Sequence, residues 1–226
     1  MLVHGGGGTA RLWHRQVGAF ARRFRVLAPD LPGFGGTDDF PEIADVRGYG
    51  GFLRDFLAER GVQRAFVVGS SMGGWAACRL ALDSPEMLAA LVLVSPAGLF
   101  REERQPIPVS ELLDELRRYY EKSRLAPGFR AEQDEEMEKA VATILRMDGG
   151  GGFAPDIEER LGDIRARTMI IWGRDDRIIP AAYAEIFHGK IPGSKLVVME
   201  GAGHLPFAEK PEEFGEIVMG FLGDMS

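Results

Sequence analysis

Three side chains far apart along the 226-residue chain could together make an alcohol attack a carbonyl: Ser71, an aspartate of the Asp175-Asp176 pair, and His204. A serine hydroxyl is a poor nucleophile at neutral pH. It needs an imidazole to take its proton and a carboxylate to hold the imidazole's tautomer and steady the imidazolium. Singly, each residue has a plainer use, since a loop histidine is often incidental and Asp-Asp after a strand often caps a turn or helix. What gives them weight is their order, Ser then Asp then His, each following an apolar run that reads as a strand.

The serine lies in Gly69-Ser70-Ser71-Met72-Gly73, a Gly-x-Ser-x-Gly pattern. In a chain with 30 glycines the pattern alone says little. Its surroundings say more. Ala65-Phe66-Val67-Val68 reads as a buried strand, and the small residues from Gly73 to Ala77 read as a helix. Strand, sharp turn and helix are what a nucleophile elbow requires. Such a turn strains Ser71 and thrusts its hydroxyl outward, while glycines at 69 and 73 let neighbouring chain approach. Met72 opens the helix, so its N–H is expected above Ser71, where a developing oxyanion would sit.

Apolar strands alternate with amphipathic helices around this turn. Met1-Leu2-Val3 reads as the end of a strand, followed by glycines 5 to 8, a helix over 10–22 and a strand Phe24–Ala28. A turn-dense stretch from Pro29 to Gly36 comes next, in which Asp30 is expected to cap the loop. Helix Val46–Arg60 ends at Gly61. Strand Leu91–Val94 follows the elbow helix, on which Cys78 reads as a small core residue and Trp75 as a lining or packing residue. Strands apolar throughout indicate a parallel sheet covered on both faces, hence an α/β fold with a doubly wound, mostly parallel sheet.

From Phe100 to about Thr168 no strand pattern occurs. Helical patterns run over Val109–Tyr120 and Met137–Leu145, then Gly149–Gly152 and a short segment from Pro155. We read 100–167 as a helical cap inserted into a core formed by 1–99 and 168–226. The sheet pattern resumes with the apolar runs Met169–Trp172 and Leu196–Met199, and helices 181–188 and Pro211–Leu222 complete the chain.

The net charge of −7 and pI near 5.2 argue against a nucleic-acid partner or an anionic membrane surface. No apolar run approaches the ~20 residues of a spanning helix. The N-terminus carries no basic-then-apolar leader, and the lone Cys78 cannot form an internal disulfide, so a cytoplasmic protein is expected. Four histidines and one cysteine without ligand spacing predict no metal site.

Taken together, the chain resembles the α/β-hydrolase family over nearly its whole length. The resemblance rests on His4-Gly5-Gly6, Asp30-Leu31-Pro32-Gly33-Phe34-Gly35, Gly69-Ser70-Ser71-Met72-Gly73-Gly74, Gly173-Arg174-Asp175-Asp176 with Pro180, and Gly201-Ala202-Gly203-His204. It implies Asp176 as the acid, because the family's acid usually lies three residues past that glycine. It also implies a second oxyanion donor from the His-Gly loop, assigned to the Gly6 N–H with Gly7 as the alternative, and a bracing rather than reacting His4. Family members usually carry two further strands before this loop, so those strands are expected to be missing here. That would leave Phe24–Ala28 as an edge open to pairing with another chain, a homodimer included.

Serine at the elbow is unlike the family's dehalogenases and epoxide hydrolases, which place aspartate there. The C–C bond hydrolases of meta-ring-fission products tend to carry Asn before the nucleophile and Trp after the histidine, where this chain has Ser70 and Leu205. The expectation is therefore a carboxylesterase acting on a small-molecule ester without a cofactor. C–C hydrolase, lactonase, haloperoxidase and slow-turnover binding protein stand as alternatives. From position, the substrate pocket is expected between elbow and cap, lined by Phe34, Trp75, Leu99, Phe100 and Leu205.

Overall fold

A computed structural model of the chain describes residues 1–40, 42, 43, 45–99, 110, 114, 138–144 and 155–223. Among them five parallel strands form one sheet in the order β1-β2-β3-β4-β5. These are β1 Leu2–Val3, β2 Ala65–Ser70, β3 Leu88–Val94, β4 Arg167–Gly173 and β5 Lys195–Met199. Val68 pairs with Leu2 on one side and Val92 on the other, and Val92 pairs in turn with Met169.

Strand side chains alternate between two cores, which is why the strands read as unbroken apolar runs. Val67, Leu91, Leu93, Ile170 and Trp172 enter the first core. Val68, Val92, Val94, Met169 and Ile171 enter the second. Helices α2 (Val46–Glu59), α3 (Met72–Asp83), α4 (Pro155–Arg160) and α5 (Ala182–Lys190) pack on the first face. A 3₁₀ turn (Ala10–Trp13), α1 (His14–Phe20), α6 (Pro206–Glu209) and α7 (Pro211–Gly223) cover the second. Trp13 stacks on Phe207 there, ring centroids 3.8 Å apart.

The ends of α2 follow from local chemistry. Asp45 caps its first turn by accepting the N–H groups of Arg47 and Gly48. At the other end Gly61, at φ +68°, and Val62 donate to Ala58 and Leu57 carbonyls, a Schellman closure.

Two expected elements differ. Residues 10–22 are not one helix, because Thr9 and Asp30 take the N–H groups of Arg11 and Ala10 and tighten the first turn to 3₁₀. Phe24–Ala28 runs beside β1 but is not a ladder strand. Among the described residues its one backbone bond to β1 is Leu2 N–H to the Leu27 carbonyl at 2.8 Å, since β1 offers only two residues to pair with. Of the expected cap, residues 110, 114 and 138–144 are helical and α4 starts at Pro155 as read, whereas Val109, most of 111–137 and Gly149–Gly152 lie outside the described residues.

Candidate active site

Ser71 stands between β2 and α3 at φ 53°, ψ −120°. L residues avoid that region, and holding one there costs about 1–3 kcal/mol. Surrounding bonds enforce it: the Ser71 N–H donates to Val94 O at 2.9 Å, and its carbonyl accepts the N–H groups of Trp75 and Ala97, both at 3.0 Å. The flanking glycines are sterically obligatory. A β-carbon on Gly69 would collide with the Gly73 carbonyl, and one on Gly73 with the Val3 and His4 carbonyls. Met72 is the first residue of α3, so its N–H is one of the donors a helix start leaves without an intrahelical partner.

Asp176 follows β4, and its side chain is fully buried. One carboxylate oxygen accepts the N–H groups of Ile178 and Ile179, each at 2.8 Å. The other lies 2.8 Å from His204 Nδ1. Its neighbour Asp175 is exposed and binds the His204 loop only through its N–H, which donates to Ala202 O at 2.9 Å. Packing therefore separates two aspartates that composition could not.

His204 lies in the loop beyond β5 and is 8% exposed. With an acceptor at Nδ1, the proton belongs there, leaving Nε2 as the basic nitrogen. Nε2 is buried and has no hydrogen-bond partner among the described residues. The loop is set by Glu209 on α6, whose carboxylate accepts the N–H of Gly203 at 2.9 Å and of Leu205 at 3.1 Å. Sequence reasoning missed Glu209; an acid just after the proline that opens a helix turn was the available signal. Gly173, at the end of β4, packs so closely on this loop that a β-carbon would strike the Ala202 and Gly203 carbonyls.

The glycine loop after β1 reaches the same end of the sheet. A β-carbon on Gly5 would come within 2.9 Å of Ser71 Cβ, so this loop rests on the elbow. His4 is completely buried, donates from Nδ1 to Gly5 O and accepts the Leu31 N–H at Nε2, both at 2.8 Å. Burial lowers its pKa, which keeps the ring neutral as these roles require. In a trans peptide the Gly6 N–H points opposite the Gly5 carbonyl, so His4 also aims that N–H. Asp30 organises the adjoining loop, accepting from Ala10 N–H at 2.6 Å and Gly36 N–H at 3.0 Å.

Of the expected pocket residues, Phe34, Trp75 and Leu99 share the first core with Met72 and Ile178. Leu205 falls in the second core with Trp13 and Phe207, against which Val141 of the segment 138–144 also packs. Phe100 lies outside the described residues. No cluster of His, Cys, Asp or Glu suited to a metal ion occurs among the described residues, and no helix among them is long and apolar enough to cross a membrane.

Known proteins are similar to this chain in sequence and in fold. The alpha/beta hydrolase family profile matches residues 1–217. The chain is 30% identical, over 99% of its length, to the dihydrolipoyllysine-residue acetyltransferase component of the acetoin cleaving system of Cupriavidus necator, and spans 63% of that protein. It is 29% identical to a 2-hydroxy-6-oxo-6-phenylhexa-2,4-dienoate hydrolase of Burkholderia cepacia, covering 99% of this chain and 87% of that one. A thermophilic esterase of Thermogutta terrifontis superposes with a TM-score of 0.72 at 29% identity, over 99% of this chain and 88% of that structure. An elbow serine, a buried Asp–His pair and a glycine loop gathered at one end of a parallel sheet, under a profile that spans nearly the whole chain, make this protein a member of the alpha/beta hydrolase family.

Proposed function

We propose that the protein is a serine hydrolase that cleaves a small carboxylic ester through an acyl-enzyme. Ser71 Oγ attacks the ester carbonyl while its proton passes to His204 Nε2, and the carbonyl electron pair moves onto oxygen. The N–H groups of Met72 and Gly6 stabilise that oxyanion. Collapse expels the alcohol, which takes the proton from His204. Water then repeats the sequence at the acyl-enzyme: His204 removes its proton, the acid leaves, and Ser71 is protonated again. Asp176 holds His204 Nδ1–H throughout, and the segment 100–167 acts as a cap over the site.

The observation that carries this reading is the 2.8 Å Asp176–His204 contact, which leaves Nε2 buried and unpartnered among the described residues of a chain whose elbow serine is held at positive φ. A fluorophosphonate probe tests it. Rapid labelling of the wild type, absent in Ser71→Ala, is the expected result; no labelling of folded wild-type protein rejects it.

A second reading, C–C bond hydrolysis, draws support from the likeness to the Burkholderia cepacia dienoate hydrolase. Against it stand Ser70 and Leu205 at the positions named above. Turnover of p-nitrophenyl esters set beside a ring-fission dienoate divides the two, and preference for the dienoate overturns the esterase.

A further inference from the structure

We infer that Ile144, on the helical segment 138–144, limits the acyl group that the site accepts; the inference rests on the serine-hydrolase reading and deepens it. The side chain lies against the oxyanion loop. A β-carbon placed on Gly6 would sit 3.6 Å from Ile144 Cδ1, 3.7 Å from its Cγ1 and 3.7 Å from Met72 Sδ. Gly6 and Met72 are the two residues whose N–H groups would bind the carbonyl oxygen. A substituent on that carbonyl carbon must therefore emerge beside the branched Ile144 side chain.

The segment carrying Ile144 is docked by specific bonds. Thr143, 1% exposed, donates from its hydroxyl to Gly33 O at 3.1 Å. Lys139 Nζ donates to Thr37 O at 2.6 Å and to Gly35 O at 3.4 Å. Gly33 stands at φ +81°, and a β-carbon there would run into the Thr143 side chain, so this approach requires glycine. Ala140 is buried in the first core with Phe34, Trp75 and Leu99. Ile144 is thus held on a fixed element against the loop, where a branched side chain excludes bulk at the acyl α-carbon.

One carbon more or less in a tight apolar site typically changes discrimination by about 10–200-fold. Wild type should accordingly prefer p-nitrophenyl acetate over p-nitrophenyl isobutyrate. Ile144→Ala should raise the isobutyrate-to-acetate ratio of kcat/KM by about tenfold or more, and Ile144→Val by less. Thr143→Val, which removes the hydroxyl but keeps the shape, should also relax the ratio by freeing the segment. Labelling of Ser71 by a small fluorophosphonate reports whether each variant is folded. A labelled wild type with ratios within about twofold across Ile144→Ala and Ile144→Val overturns the role of Ile144 alone. Absence of labelling in the wild type overturns the hydrolase reading and this inference together.

Discussion

At the scale of single residues, the proton relay depends on which nitrogen of His204 is free. In Asp176→Asn the amide oxygen can keep the N–H groups of Ile178 and Ile179, but its NH₂ then faces His204 Nδ1. The proton shifts to Nε2, which can no longer accept from Ser71. We expect kcat for a p-nitrophenyl ester to fall about 10³–10⁴-fold with little change in KM, measured by steady-state kinetics. His4 is a second residue whose tautomer matters. Protonation would turn its Nε2 into a donor facing the Leu31 N–H donor. Its folded pKa is lowered by burial from 6.5, so below about pH 6.5 the unfolded chain binds the proton more readily than the folded one. The stability linked to neutral His4 is therefore present above that pH and lost as pH falls. His4→Phe keeps a ring against Phe34 but loses both bonds. Its urea midpoint at pH 7 should drop by the equivalent of about 1–3 kcal/mol, and should then move less than the wild type's between pH 7 and pH 5.

At the scale of elements, the elbow stores strain where the chemistry is placed. Ser71→Ala removes the nucleophile but keeps a β-carbon at φ 53°. Ser71→Gly removes both. Ser71→Gly should be about 1–2 kcal/mol more stable than Ser71→Ala by denaturant unfolding, with both inactive. Equal stability would mean that the strained backbone relaxes without glycine. This element was legible in the sequence because its demands are local: a strand, a turn too tight for β-carbons at 69 and 73, and a helix lie within one short stretch. The strand expected at Phe24–Ala28 was not legible correctly. A strand is defined by its partner, and β1 is too short to supply more than one bond. Leu205, expected in the pocket by its place after His204, is buried in the second core, against which Val141 of the segment 138–144 also packs.

At the scale of the whole molecule, the two cores on either side of the sheet unite the elements that position the site. Cys78 reports on that unity. It is fully buried on α3 in the first core, and burial pushes its thiol up to about 12. It should resist iodoacetamide at pH 8 in folded protein, and its labelling rate should follow global unfolding as denaturant is added. Fast labelling without denaturant would mean that α3 opens on its own.

What the residues by themselves determined was the alternation of strand and helix, the elbow, and the order in which serine, acid and histidine follow their strands. Each depends on side-chain period or on sterics within a few residues. Asp176 was chosen over Asp175 by resemblance alone, and its contact with His204 gives that choice a physical basis. Only the tertiary structure decided that Glu209 clamps the histidine loop and that Thr143 and Lys139 seat Ile144 beside Gly6. Those relations join residues on different elements, and their distances exist only once the sheet and its covering helices have set the loops side by side.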